Sequence, residues 1–178
     1  MNIFLVSDTH WRHDNMYAFV KEDGVTRVRP KFDCAKDADA FMREQWNSIV
    51  KPGDHVWHLG DMTMARNADQ QDQFISYVRS LHGYKRLILG NHDHFPMHVY
   101  ASAGIQKIKG SHVHAGLIYT HWPVHPSNIG KKTLANVHGH IHERQIEGKY
   151  INVCVEHTNY SPVPLDLILE IARKKNEV

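Results

Sequence analysis

Apolar and polar positions alternate in two different ways along the first half of the chain. Short apolar runs that are typical of buried strands lie at 2–7, 55–59 and 84–89. Apolar residues at helical spacing predict helices over 38–49 and 67–81, and a shorter helix over 14–20 with Asp14 as its cap. This order of strands and helices predicts a parallel sheet whose strands are connected by crossover helices.

The second half of the chain has a different pattern. Shorter β runs, separated by Gly, Pro and Asn, are predicted at 105–109, 113–120, 133–138 and 149–155. A closing helix is predicted over 165–175 because Pro164 suits a helix start, with a short strand at its beginning as the alternative. We find no internal repeat and no linker that would divide the chain, so residues 1–178 are predicted to form a single α/β domain.

Composition narrows the class of protein. Of the 178 residues, 42% are hydrophobic and 22% are charged, as in an ordinary soluble domain. The longest apolar run, from Met16 to Val20, is far shorter than the about 20 residues that a membrane span needs. The first residues lack a secretory signal, and the two cysteines are predicted to be buried thiols, so we expect a cytoplasmic protein. The net charge of +2 is too small to indicate broad nucleic-acid binding.

Histidine is unusually abundant, with 16 His beside 19 Asp and Glu. Imidazole is the commonest metal ligand and the usual acid–base group near neutral pH. The predicted strands of the first half lead into Asp8-Thr9-His10, Gly60-Asp61 and Gly90-Asn91-His92-Asp93. Those of the second half lead into His121 and into His138-Gly139-His140-Ile141-His142. Because ligands bind at the carboxyl ends of strands in α/β sheets, we expect these segments to meet at one edge.

These segments supply more oxygen and nitrogen ligands than one metal ion uses. The seven candidate metal ligands are Asp8, His10, Asp61, Asn91, His121, His140 and His142. Two ions that share one carboxylate fit this number, whereas a single tetrahedral ion does not. The ligand types suit Mn, Fe, Zn, Ni or Co rather than an all-oxygen calcium site, with manganese as our first expectation. Paired ions roughly 3.5–4 Å apart are typical of enzymes that cleave phosphoesters.

Each segment also has an ordinary explanation when it is taken alone. An Asp after a strand is commonly a turn or a helix cap, and a His-rich loop can bind metal adventitiously. The histidines predicted to be surface or packing residues are His82, His98, His112, His114 and His157. His55 and His58 lie within a strand and are predicted to belong to the core or to lie behind the ligands. The joint appearance of the segments, each after an apolar run, favours the metal interpretation.

The ordered set of segments resembles the motif blocks of the calcineurin-like metallophosphoesterase superfamily. The blocks are Asp8-Thr9-His10, Gly60-Asp61, Gly90-Asn91-His92-Asp93, His121 and Gly139-His140-Ile141-His142. Further stretches, including Trp46-Asn47 and His58-Leu59 before Gly60-Asp61, are similar to a small single-domain bacterial and phage branch of predicted phosphoesterases. The resemblance implies an α/β sandwich, with two packed mixed β-sheets flanked by helices.

The resemblance also implies a role for each residue of the blocks. The first of two divalent ions would be bound by Asp8, His10, Asp61 and His142. The second would be bound by Asp61, Asn91, His121 and His140, with Asp61 bridging the two ions. His92 would act as general acid towards the leaving group, and Asp93 would orient it.

The leading hypothesis is a hydrolase of phosphodiesters or phosphomonoesters in which a metal-bridging hydroxide attacks phosphorus. We expect a small phosphorylated substrate, nucleotides being among the candidates, with no membrane and no protein partner; the oligomeric state stays open. Arg12 and His13, two and three residues after His10, are the candidates for substrate binding. The Asp and Arg found at this point in protein phosphatases are missing after Asp61, which disfavours a phosphoprotein substrate.

Two alternatives stay open. One is a non-enzymatic scaffold of the same fold that binds a protein partner, and the presence of His92 disfavours it. The other is a nuclease, which needs a basic stripe or stacking aromatic side chains beside the cleft. The residues of these types that neighbour the ligands in sequence are Trp11, Arg12, Trp122 and Arg144. Four such residues do not by themselves establish a groove.

Overall fold

Two β-sheets and four α-helices make up the computed structural model, which describes residues 1–177. The strands in this range are β1 (Ile3–Val6), β2 (His55–His58), β3 (Tyr84–Ile88), β4 (Ile105–Lys109), β5 (Ser111–His114), β6 (Leu117–Thr120), β7 (Ala135–His138), β8 (Tyr150–Asn152) and β9 (Val163–Pro164). The α-helices in the same range are α1 (Ala35–Ile49), α2 (Ala68–Arg79), α3 (Met97–Ser102) and α4 (Leu165–Lys174). Short 3-10 helices lie at Asp14–Tyr17 and Pro126–Asn128.

Both sheets are mixed, as predicted. The first sheet has the strand order β4-β3-β2-β1-β9, and its pairs are parallel except for the antiparallel pair of β1 with β9. The second has the order β5-β6-β7-β8, in which β5 and β6 are antiparallel and the other pairs are parallel. The predicted α/β fold class with two mixed sheets flanked by helices is therefore confirmed.

The alternation of side chains along β1 shows how the layers pack. Leu5 belongs to the core between the two sheets, where it joins Trp57 of β2 and Tyr119 of β6. Phe4 and Val6 belong to a second core, which also contains α1 side chains. Successive strand residues point to opposite faces, so one short apolar strand supplies both cores. Burying this apolar surface contributes roughly 25 cal/mol per Å² to the stability of the sandwich.

Several elements differ from their sequence predictions at the boundaries. The run 113–120 is two antiparallel strands, because Ala115 and Gly116 form a turn with φ values of 51° and 78°. Such left-handed pairs match the twist of a two-residue hairpin. Helix α3 was not predicted, since six residues are too few to show a periodic pattern. The closing helix is confirmed, and the two-residue strand β9 precedes it.

The predicted helix over 14–20 is shorter than expected. It is a 3-10 helix over Asp14–Tyr17. The Asp14 carboxylate does not cap it: Oδ1 accepts the backbone N–H of Ala35 at 2.9 Å, at the start of α1. Asp14 therefore connects the loop after β1 to the first turn of α1.

Of the two cysteines, Cys154 is buried and Cys34 is only partly so, which corrects the prediction that both are buried. Within residues 1–177 we find no helix that is long and apolar enough to cross a membrane.

The loops that follow the strands are connected at one edge of the sandwich. Asp8 N donates to Gly60 O at 3.0 Å, and His10 N donates to Asp61 O at 3.1 Å. In the second sheet, Gly139 N donates to His121 O at 3.0 Å, and His140 N donates to Asp8 Oδ2 at 2.9 Å, which joins the loops of the two sheets. These hydrogen bonds bring the segments after β1, β2, β6 and β7 together, as the sequence predicted.

Candidate metal centre

Two groups of potential metal ligands lie at this edge. In each group one ligand atom per residue lies within 4.8 Å of the others. The first group comprises Asp8, His10 and His142; the second comprises Asp61, His121 and His140. Asn91 adjoins the second group, with Oδ1 3.0 Å from Nε2 of His121. All seven predicted ligand residues are thus brought together.

One oxygen of Asp61 lies close to both groups. Its Oδ2 is 3.8 Å from Nε2 of His10 in the first group and 3.4 Å from Nε2 of His121 in the second. The other oxygen, Oδ1, accepts the backbone N–H of His92 at 2.8 Å. Asp61 is therefore held by a hydrogen bond from the loop after β3, while its Oδ2 faces histidines of both groups.

Several buried polar atoms of the first group have no hydrogen-bond partner within residues 1–177. They include Oδ1 of Asp8 and both ring nitrogens of His10, although the two side chains are 0% and 2% exposed. Asp8 Oδ1 lies 3.6 Å from His10 Nε2 and 3.9 Å from His142 Nε2, too far for hydrogen bonds. Two buried carboxylates facing imidazole nitrogens across such gaps fit divalent cations.

The electrostatics of the cluster favour charged carboxylates. Burial alone would raise the pKa of Asp8, but the neighbouring His10, His142 and His121 outweigh burial and hold that pKa well below its usual range. Burial lowers the pKa of His10 and of His140, which favours the neutral imidazoles that bind metal. The pKa of His121 is raised, because Asp61 and Asp8 outweigh the effect of burial.

Five of the candidate ligands have a backbone conformation that L residues seldom adopt. Positive φ values from 49° to 71° occur at Asp8, His10, Asp61, His140 and His142. Each such residue costs of order 1 kcal/mol or more, so the surrounding hydrogen bonds must hold it in place. Strained ligands collected at one edge are typical of a functional site.

Two glycines permit the close approach of the loops. A Cβ added to Gly139 would overlap Ser7 Oγ and Asp8 Oδ2. A Cβ added to Gly90 would overlap the backbone nitrogen and the carboxylate of Asp61. No side chain fits at either position, so these glycines keep the ligand loops in contact.

A buried ion pair that sequence reasoning missed supports the first group. Glu156 Oε1 lies 3.0 Å from Nδ1 of His142 and accepts from Nε of Arg29 at 2.7 Å. Arg29 is fully buried and also donates to the backbone oxygens of Asp8, at 2.5 Å, and Thr9, at 3.3 Å. Burial would raise the pKa of Glu156, but Arg29 and His142 lower it to about 2, so the pair is charged.

Contacts with the backbone support the second group. Nδ1 of His121 lies 2.9 Å from Leu59 O. Asp93 accepts three amide N–H groups, from Asp61 and Gly90 on Oδ2 and from Met62 on Oδ1, each at 2.9 Å. Asp93 was predicted to orient His92, but its hydrogen bonds go to the backbone around Asp61, and His92 Nδ1 has no partner within residues 1–177.

The predicted catalytic histidine lies at the rim of the cluster. The His92 side chain is 34% exposed, with Nε2 3.9 Å from Asp61 Oδ2. Its ring centroid is 5.6 Å from that of His10. His92 is thus near both groups and open to solvent.

The two predicted substrate-binding residues occupy different places. The His13 ring lies 5.6 Å from the His10 ring, and burial lowers the pKa of His13 to about 4, so it is neutral near pH 7. Arg12 is exposed and points away from the ligands: its guanidinium donates to Gln73 and lies 5.3 Å from the Trp11 ring centroid. Only His13 of this pair adjoins the cluster.

Other histidines mostly match their predictions. His58 is buried, and its Nε2 lies 3.0 Å from Thr9 Oγ1 in the loop after β1. His157 is more than a surface residue, since its Nε2 lies 2.8 Å from the backbone oxygen of His142.

Cys154 also touches a ligand, with Sγ donating to Asp8 Oδ2 at 3.2 Å.

The fold and the paired Asp and His groups define a metal-binding α/β sandwich. The sequence pattern of the calcineurin-like phosphoesterases matches residues 1–178, and the chain therefore belongs to that family. An uncharacterised protein of Methanocaldococcus jannaschii, MJ1445, is 28% identical over 97% of this chain and 92% of its own length.

Solved structures share the fold at low sequence identity. A protein of unknown function from Aquifex aeolicus, AQ665, is similar with a TM-score of 0.69 and 22% identity, over 96% of this chain and 98% of that one. The nuclease MPE of Pseudomonas putida is similar with a TM-score of 0.50 and 20% identity, over 79% of this chain and 60% of that one.

Proposed function

We propose that the chain hydrolyses phosphodiesters with the help of two divalent cations, one at each ligand group, and that Asp61 bridges them. The observation that carries this proposal is the position of Asp61 Oδ2, 3.8 Å from His10 and 3.4 Å from His121. When bound, two such cations neutralise phosphate oxygens and lower the pKa of a water molecule. Manganese is the first metal to test, followed by Fe, Zn, Ni and Co.

His92 is the proton donor in this proposal. Hydrolysis joins a water oxygen to phosphorus and breaks the bond from phosphorus to the ester oxygen, which needs a proton as it leaves. The His92 side chain is 34% exposed at the rim, and its Nε2 lies 3.9 Å from Asp61 Oδ2. It can therefore reach a leaving group without being a ligand itself.

His92→Ala tests this role. Loss of a general acid costs about 10²- to 10⁴-fold in kcat, and we expect the larger loss with a nucleoside or alkyl leaving group. A nitrophenolate leaves without a proton, so its loss should be smaller. His94→Ala is the matched control, since His94 is an exposed neighbour whose ring lies 6.2 Å from His92. Loss of bound metal in His92→Ala, or an equal defect for all leaving groups, would contradict the role.

Diesters are proposed to be preferred to phosphoproteins. The residues after Asp61, Met62 and Thr63, are buried and offer no arginine to a phosphopeptide. One structural relative is named a nuclease, an enzyme of phosphodiesters. The test compares kcat/KM for a nitrophenyl diester, nitrophenyl phosphate and a phosphopeptide. A phosphopeptide preferred by about tenfold would overturn the preference.

A further inference from the structure

Exposed aromatic side chains are concentrated beside the candidate metal centre. The three aromatic residues among the exposed large hydrophobic residues of the described chain are Phe19 (48%), Tyr84 (46%) and Trp122 (48%). The Trp122 ring centroid lies 5.1 Å from that of His121 and 5.8 Å from that of His140, next to the second group. Tyr84 begins β3, at the end of the strand remote from the ligands.

Phe19 lies next to the first group. Its ring centroid is 5.9 Å from that of His13, and the His13 ring is 5.6 Å from the His10 ring. Phe19 and His142 also line one cavity of about 340 Å³. The cavity is therefore bordered by one residue of the ligand cluster, His142, and falls in the size range of small-molecule pockets.

The lining of this cavity suits an uncharged planar group. Its apolar side chains are Met16, Phe19, Val20 and Val28. Its charged side chains are Lys21, Glu22, Glu143 and Arg144, two of each sign. Because the positive and negative charges balance, the cavity does not attract ions of either sign, but its charged side chains can form hydrogen bonds with a polar ligand. A nucleobase combines a planar face with polar edges and fits such a lining.

Backbone hydrogen bonds fix the position of Phe19. Val28 N donates to Phe19 O at 2.9 Å, and Lys21 N donates to Thr26 O at 2.7 Å. Val20 pairs with Arg27 in an antiparallel bridge. The segment from Phe19 to Val28 is thus a small hairpin that holds the ring beside the cavity before any ligand arrives.

We propose that the substrate is single-stranded nucleic acid, whose bases near the cleaved phosphate contact Phe19 on one side and Trp122 on the other. This inference rests on the proposed function and names its substrate class. Each ligand group has one exposed ring beside it, so a diester at the metal centre places a nucleoside near each ring. Bases of a duplex are stacked on each other, which is why a single strand is specified.

The first experiment compares two oligonucleotides with equal numbers of phosphates, one with normal bases and one abasic. Wild-type protein should hydrolyse the base-bearing strand with a kcat/KM at least about tenfold higher. Phe19→Ala and Trp122→Ala should each reduce this preference about 5-fold or more, the size of one lost stacking contact. Trp122→Phe should restore it. Tyr84→Ala is the matched control and should keep the wild-type preference.

The second experiment measures binding without metal. Trp122 is the exposed one of the four tryptophans, since the others are at most 5% exposed. With EDTA present, the base-bearing strand should quench its fluorescence, the abasic strand should quench it less, and the quenching should vanish in Trp122→Phe.

The outcomes separate the two proposals. Hydrolysis of a nitrophenyl diester without any preference for bases, or quenching by both strands alike, would overturn the nucleic-acid inference and leave phosphodiesterase activity standing. Absence of hydrolysis of every phosphodiester in the metal-loaded protein would overturn the proposed function, even if the base-bearing strand still quenched Trp122. Preference for bases that persists in both aromatic variants would remove Phe19 and Trp122 from binding.

Discussion

The two ligand groups differ in what holds them. The first, with Asp8, His10 and His142, depends on the buried Arg29–Glu156 ion pair, whose members are 127 residues apart in the chain. The second, with Asp61, His121 and His140, depends on nearby backbone and on Asp93, which belongs to the same motif as Asn91. One group is thus supported by a buried ion pair between side chains, and the other mainly by hydrogen bonds to the backbone of neighbouring loops.

This contrast has an energetic consequence. Removing one partner of a buried ion pair leaves the other charge without compensation in a poorly solvated place. Loss of the Glu156 charge should therefore leave Arg29 uncompensated and disturb the backbone of Asp8, to which Arg29 donates a hydrogen bond. The second group should lose metal affinity when Asp61 is displaced, and because Asp61 faces both groups the first should be affected as well.

The largest effects are expected from the two close glycines. Gly90→Ala pushes a Cβ against Asp61 and should weaken both groups, whereas Gly139→Ala pushes against Asp8 and should weaken the first. Each should lower hydrolysis by about 100-fold or more, as misplacement by about 1 Å does. Metal titrations followed by circular dichroism measure the affinity of each ligand group, and steady-state kinetics measures the loss of hydrolysis. Gly110→Ala is the control, since an added Cβ there meets nothing within 4 Å. Retention of both metal affinities in Gly90→Ala would refute the shared role of Asp61.

A smaller effect is expected from Glu156→Gln. The amide keeps the shape but removes the charge that faces His142 and Arg29. Loss of a partner that orients a metal-ligating histidine costs about 10- to 100-fold in metal affinity. Isothermal titration should show one of two binding steps weakened by this factor and the other within about threefold of wild type. Equal weakening of both steps would mean that Glu156 does not support the first group selectively.

The smallest effect concerns a buried acid that holds a site loop. Asp39 on α1 accepts the N–H of Arg12 at 3.0 Å, and burial raises the pKa of Asp39 to about 7. An acid whose pKa is raised on folding favours the folded state while it is protonated, so stability should fall as pH rises from about 4 to 7. A difference of one in pKa between the folded and unfolded states corresponds to about 1.4 kcal/mol in the free energy of unfolding.

Asp39→Asn should remove this part of the pH dependence. Urea unfolding at pH 4 and pH 7 should show the variant gaining about 1 kcal/mol or more relative to wild type between the two pH values. A difference between variant and wild type that does not change with pH would show that folding does not raise the pKa of Asp39. Asp72→Asn, at an exposed position of α2, is the control.

The sequence predicted the fold and the meeting of the candidate ligands at one edge, because both depend on patterns along the chain. Apolar strand runs followed at once by Asp, Asn or His place those side chains at one sheet edge, because the edge is set by where the strands end. Helix α3 and the separate strands β5 and β6 were missed, since six residues and a two-residue turn leave little periodic signal.

The support of the first group could not be predicted in the same way. Arg29 lies in a segment with no helical or strand pattern, and Glu156 follows the last strand of the second sheet without a motif of its own. Only folding brings them together behind His142. The direction of the Arg12 side chain could not be predicted either. Its position shortly after His10 predicted a contact with substrate, but its backbone has a positive φ of 58° and its side chain is directed to Gln73.

The most direct test of the binuclear centre is the number of metal ions per chain and its dependence on Asp61. Wild-type protein loaded with Mn²⁺ and desalted should contain close to two equivalents by elemental analysis, because the two ligand groups share Asp61. Asp61→Ala should retain one equivalent or fewer, and the control Asp72→Ala should retain two. A reproducible content of one equivalent or fewer in wild-type protein, unchanged in Asp61→Ala, would contradict the binuclear centre.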